Sequence, residues 1–144
     1  MIMNIANDSE LLKKNIYSVE KNDWGHTIIL FDSLESIKPT KIFKESLINH
    51  IIDEVANALA ISKQFNKTRS YVHLYTNGKV PSNFSISFYK KLITRLSDTY
   101  IDTLEAAYIY DAPALASGLW DVIKLFIDST IRKKIHMTNS HLNA

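Results

Sequence analysis

Residues 105–135 read E-A-A-Y-I-Y-D-A-P-A-L-A-S-G-L-W-D-V-I-K-L-F-I-D-S-T-I-R-K-K-I, and this stretch decides the reading of the chain. Ala106-Ala107-Tyr108-Ile109-Tyr110 has the length and composition of a buried strand. Pro113 closes the turn that follows it, because a fixed φ and a missing N–H do not suit a continuing ladder. Leu115, Leu119, Val122 and Phe126 then fall on one side of a helix over 114–127, with Ile123 widening the stripe and Trp120 in its middle. Arg132, Lys133 and Lys134 form a basic turn, and Ile135-His136-Met137-Thr138 reads as a last strand. The stretch holds no convergent acid, base and nucleophile. It suits a shape that holds something rather than a site that transforms something.

The rest of the chain repeats this alternation. Tyr17-Ser18-Val19 and His26-Thr27-Ile28-Ile29-Leu30-Phe31 predict two strands, joined across the turn cluster Asn22-Asp23-Trp24-Gly25 as a hairpin. Asp8-Ser9 before Glu10-Leu11-Leu12 reads as the N-cap of a short leading helix. Pro39-Thr40 opens the longest helix, over 41–63, whose buried stripe is Phe43, Leu47, Ile51, Val55 and Leu59, widened by Ile48 and Ile52. Tyr71-Val72-His73-Leu74-Tyr75 is a strand closed by Asn77-Gly78. A helix over 85–99 follows, with Phe88, Leu92, Ile93 and Leu96 on its apolar face. Strands separated by helices need crossover connections. The expected fold is therefore α/β: a single mixed, mostly parallel sheet flanked by helices.

Composition narrows the function. The chain has 144 residues, the size of a single domain, with 46% hydrophobic and 22% charged residues as in ordinary globular proteins. One domain over 1–144 is expected, with a helical lead-in over 1–16 and a polar tail over 139–144. A net charge of +2 is too small to argue for a nucleic-acid partner. The absence of cysteine removes disulfides, thiolate metal sites and cysteine nucleophiles together, and fits a reducing compartment. The N-terminus has no basic start or long apolar run of a secretory signal. The glycines Gly25, Gly78 and Gly118 are too scattered for a phosphate-cradling loop. His26, His50, His73, His136 and His141 lack the spacing of a metal pair, and Ser117-Gly118 lacks the Gly-x-Ser-x-Gly elbow of a hydrolase. No catalytic residue, cofactor or metal site is expected.

From about Tyr17 to Thr138 the chain resembles the CRAL-TRIO lipid-binding domain of phosphatidylinositol-transfer proteins. The match is carried by Tyr108-Ile109-Tyr110-Asp111-Ala112-Pro113, then Leu119-Trp120-Asp121-Val122-Ile123-Lys124, Phe126-Ile127-Asp128 and Lys134-Ile135. The corresponding family features are a strand ending in Asn-Ala-Pro, a helix ending in Lys-Pro-Phe-Leu-Asp, and a basic turn closing in Lys-Ile. Asp23-Trp24-Gly25-His26-Thr27-Ile28 resembles the family's Asp-Gly-Arg-Pro-Val turn. Tyr75-Thr76-Asn77-Gly78 resembles its strand ending in Asp-Leu-x-Gly. Asp111 stands for the usual Asn, Leu125 for the usual Pro, and His26-Thr27 for Arg-Pro.

The resemblance implies non-enzymatic binding, transfer or presentation of a lipid such as a phosphoinositide, or of another hydrophobic small molecule. A protein-interaction scaffold that kept the fold without a pocket is the alternative. It also implies a form shortened at the N-terminal extension and the C-terminal gate, a cytoplasmic protein with transient peripheral contact to membranes, and a homodimer through the uncovered pocket side. Lys134 corresponds to a family lysine at the lipid headgroup, and Asp102 to an acidic headgroup ligand; Ile131 replaces the expected threonine. Period-two alternation supplies the floor of the expected cavity. Val72 and Leu74 share one face of their strand, Ala107 and Ile109 one face of theirs, and these small side chains leave volume.

Overall fold

A computed structural model describes residues 5–31, 40–75, 86–100, 102–111, 121 and 124–138. The strands are β1 (Ile16–Lys21), β2 (Trp24–Leu30), β3 (Ser70–Tyr75), β4 (Leu104–Tyr110) and β5 (Ile135–Thr138). The helices are α1 (Ile5–Asn15), α2 (Lys41–Gln64), α3 (Ile86–Thr99) and the single turn α4 (Ser129–Arg132). The strands form one five-stranded sheet in sequence order. β1 and β2 pair antiparallel, and every later neighbour pairs parallel. This is the expected mixed, mostly parallel α/β sheet. Each parallel step moves one strand in the same direction, so right-handed crossovers place α2 and α3 on one face.

The hairpin turns on Asn22 and Asp23, both at positive φ (56° and 69°), where short polar side chains are tolerated. Gly25 lies beyond the turn, inside β2. A Cβ there would overlap the Ala58 carbonyl of α2, so the glycine permits close approach of helix and sheet. Its N–H donates to the buried Ser62 Oγ at 2.8 Å, which locks that contact.

Thr40 caps α2, its hydroxyl accepting from the Phe43 N–H at 3.0 Å. Of the stripe read from the sequence, Phe43, Leu47, Ile48, Ile51, Val55 and Leu59 are buried and Ile52 is partly buried against them. These side chains form the core with Ile16, Ile29, Phe31, Leu12 and Phe88. α2 ends after Gln64, where the Phe65 and Lys67 N–H groups both reach the Ser62 carbonyl at 3.0 Å and Asn66 turns left-handed (φ 62°).

Two local expectations are corrected. α1 begins at Ile5, so Asp8 and Ser9 lie within the helix rather than capping it. The described end of the helix expected over 114–127 is a 3-10 turn, Lys124–Phe126. Of its other positions Asp121 is helical, while Trp120 lies outside the described residues, as do Pro39, Pro113 and Asn77-Gly78.

The face of the sheet turned away from α2 and α3 carries rings. The register aligns His26 with Tyr71, His73 with Tyr108, Tyr75 with Tyr110, and Tyr108 with His136. These rings stand across the strands as a stacked layer: Tyr75 and Tyr110 have centroids 4.4 Å apart at 11°, His26 and Tyr71 4.9 Å apart at 11°. A hydrogen-bond chain runs through the layer. The Lys21 carbonyl accepts from His26 Nε2 (3.1 Å), His26 Nδ1 from His73 Nε2 (2.9 Å), and His73 Nδ1 from the Tyr110 hydroxyl (2.8 Å). A carbonyl can only accept, so with both imidazoles neutral each tautomer is fixed. Burial, then His26 and Lys21, lowers the His73 pKa from 6.5 to about 4. Burial, then Tyr75, pushes Tyr110 up to about 12.

Candidate functional site

Between the helix-bearing face of the sheet and α3 lies a cavity of about 660 Å³. Its floor is the inner face of three strands: Val72 and Leu74 of β3, Ala107 and Ile109 of β4, Ile135 and Met137 of β5. All four side chains read from the sequence as cavity floor line this space. The register places Val72 beside Ala107 and Leu74 beside Ile109, so the two pairs adjoin. Leu92, Ile93 and Leu96 of α3 roof it, and Ile51 and Val55 of α2 close one side. The lining is overwhelmingly apolar, as a site for a hydrophobic ligand requires.

The hollow follows from side-chain size. Under α2 the inner face of β2 presents Thr27 and Ile29 to the long apolar side chains of a 24-residue helix, and the core closes. Beside α3, Val72 and Ala107 are too short to fill the gap to Leu92 and Leu96. Tyr100 anchors the end of α3 by donating its hydroxyl to the Ile52 carbonyl at 2.6 Å. Tyr89 of α3 packs near Phe31 with centroids 6.0 Å apart. Its hydroxyl is buried without a hydrogen-bond partner among the described residues, and burial raises its pKa.

One end of the cavity is polar. Asp102 and Lys134, read from the sequence as headgroup residues, both line it, with Lys134 Nζ 3.7 Å from Asp102 Oδ1. Asp102 precedes β4 in the left-handed region (φ 59°). Lys134 precedes β5, and its backbone N–H donates to the Ile131 carbonyl at 2.9 Å. The Lys134 side chain is 19% exposed and that of Asp102 68%, so the ammonium is held while the carboxylate faces solvent. Asp128 and Thr130 complete this end; the Thr130 N–H donates to Asp128 at 2.8 Å and holds its carboxyl below the usual range.

Sequence reasoning missed Arg69. Its guanidinium lies 3.2 Å from Asp102 Oδ1 and 3.7 Å from Glu105 Oε2, making Asp102 the shared partner of two cations. The parallel pairing of β3 and β4 contains the signal. Ser70 aligns with Leu104, so the residues just before both strands become neighbours. Of the histidines treated as scattered, His26 and His73 meet on adjacent strands while His50 lies on α2, and no group of three potential metal ligands forms among the described residues. No described helix is long and apolar enough to cross a membrane.

The crystal structure of Sfh5 matches with a TM-score of 0.65 at 16% sequence identity, over 96% of this chain. The chain spans half the length of that protein. No curated protein sequence matches. The profile of the CRAL/TRIO domain matches residues 12–143, which takes in every strand and the whole cavity lining, and the chain therefore belongs to the CRAL/TRIO domain family.

Proposed function

We propose that the chain binds one lipid or other hydrophobic molecule in the cavity above β3 and β4, without catalysing a reaction. The observation that carries this reading is the largely apolar cavity of about 660 Å³, with Asp102 and Lys134 together at one end. An occupant placed there removes its own apolar surface and that of the lining from water. Each buried methylene contributes about 0.8 kcal/mol, so a single acyl chain gains several kcal/mol with no covalent step. Asp102 and Lys134 then orient the occupant by holding its polar end at the rim. Loading and release at a membrane surface follow, as does self-association wherever the open side of the cavity is left apolar.

The test is a titration with an environment-sensitive fluorescent acyl probe. Saturable binding to the native chain at one site per chain is expected, with loss of binding in the variant Ala107→Trp, whose indole fills the floor. A folded Ala107→Trp chain that binds the probe as well as the native chain overturns the placement of the ligand.

A further inference from the structure

The end of the molecule away from Asp102 and Lys134, where α2 and α3 begin, carries charge that the fold does not use. Both helices follow strands that run parallel, so their first turns lie beyond the same end of the sheet. A cleft of about 190 Å³ opens between them, floored by the buried Ile48 and Phe88 and lined by Lys41, Lys44 and Lys91. Glu45 is the one carboxylate in its described lining. None of the three lysines makes an ion pair among the described residues. Lys41 and Lys44 also stand in the first turn of α2, where the positive end of the helix dipole disfavours a cation. The stretches 32–45 and 76–91, which lead from β2 and β3 into these helices, hold six lysines against three carboxylates, while the whole chain nets only +2. Beside Lys41 stands Ile42, 76% exposed although large and apolar. Side chains on a helix lean toward its N-terminus, so Ile42 leans off this end of the molecule.

We infer that this end docks the chain on an anionic membrane surface, with Ile42 entering the interface and Lys41, Lys44 and Lys91 seated among lipid phosphates. The inference rests on the carrier reading above for its purpose, since a carrier must meet the membrane it loads from, and on a separate set of residues for its evidence. Cations that share a cleft without counter-charge repel one another, and an anionic surface removes that repulsion while attracting all three. Lysine stems lie along apolar surface while their heads reach the headgroup oxygens. Ile42 leaves water when it enters the acyl boundary. The other exposed apolar side chain beside cations, Leu125 at 74%, has a different setting. Its neighbour Lys124 lies 3.1 Å from Asp121, and Lys134 lies 3.7 Å from Asp102. Arg132 stands in the field of Asp128, which leaves Lys133 as the one cation of that turn without a carboxylate beside it among the described residues. That turn is close to charge balance, so an anionic surface attracts it far less than it attracts the end where α2 and α3 begin.

The experiment is flotation of the full chain with vesicles of phosphatidylcholine alone and of phosphatidylcholine carrying about 30% phosphatidylserine. Binding to the anionic vesicles only is expected, weakening as salt rises from about 0.05 to about 0.5 M. The triple variant Lys41→Gln, Lys44→Gln, Lys91→Gln should lose about tenfold or more in affinity, and Ile42→Ser about fivefold. The double variant Leu125→Ser, Lys133→Gln should stay within about twofold of the native chain. All these substitutions lie outside the carrier cavity, so acyl-probe binding equal to native shows that each variant is folded. Equal binding to both kinds of vesicle, a triple variant that floats as the native chain does, or a loss confined to the Leu125 variant would each overturn this docking surface. Capture of poly-glutamate by a native chain that refuses anionic vesicles would assign the cleft to an acidic protein and overturn the membrane as its partner. In each of these cases acyl-probe binding by the native chain leaves the carrier reading intact. Docking without probe binding overturns the carrier reading and leaves the surface in place.

Discussion

β3 and β4 turn the same backbone toward two different surroundings. On one face Val72, Leu74, Ala107 and Ile109 are short, and the space above them stays open up to α3. On the other Tyr71, His73, Tyr75, Tyr108 and Tyr110 are long, and they fill their own layer by stacking against one another. The ring faces are consumed by neighbours, and the polar edges of His26, His73 and Tyr110 are joined in one hydrogen-bond chain. One side of the sheet is thus closed by its own side chains, while the other is left open above β3 and β4. The inner face divides again: closed where α2 presses against β1 and β2, hollow where α3 faces β3 to β5 across the cavity.

The largest effect is expected where the closed half is tightest. Gly25→Ala drives a methyl into the Ala58 carbonyl of α2, an overlap with backbone that no rotamer relieves. A loss of about 3 kcal/mol or more in urea unfolding is expected. A small loss would mean that α2 and β2 slide apart readily and that the closed half is loose. Next come paired truncations. Leu47→Ala opens a void in packed core, where Leu47 is 0% exposed, and should lose about 3 kcal/mol. Leu96→Ala enlarges a space that already exists and should lose about 1 kcal/mol. Equal losses at the two sites would erase the distinction between solid and hollow halves.

The ring face supplies a smaller effect that depends on pH. The His73 pKa in the folded chain, about 4, lies below its ordinary 6.5, so the unfolded chain binds more protons between these values. Stability from this group is complete above pH 6.5 and is lost as pH falls toward 4. With His73 only half-buried, a loss of about 1–2 kcal/mol over that window is expected after solvent screening. The groups facing it are His26, Tyr108 and Tyr110, with Lys21 at the end of the chain. In His73→Phe, which keeps a ring in the stack, this part of the slope should vanish. An unchanged slope would assign the pH dependence elsewhere.

Much of this architecture was legible in the sequence. The four-residue spacing of Phe43, Leu47, Ile51, Val55 and Leu59 can bury only one face of a helix, and period-two alternation in β3 and β4 sorts the hollow side from the ring side. Local patterns of this kind survive into the fold because they are enforced by burial. Long-range meetings were not legible. His26 and His73 are 47 residues apart, and only the parallel register of β2 and β3 makes them partners. Arg69 meets Asp102 for the same reason, through β3 and β4. Gly25 was read with the turn because Asn22 and Asp23 stand beside it, yet those two make the turn themselves. What fixes Gly25 is a helix that begins sixteen residues later.

The central claim is that the space above Ala107 is occupied by a lipophile in the working protein. Native mass spectrometry of the chain purified from the cells that express it, beside Ala107→Trp prepared identically, tests this most directly. A non-covalent hydrophobic adduct at one per native chain, absent from the folded variant, is the expected result. The same adduct on both proteins, or none on the native chain followed by refusal of every added lipid, would contradict it.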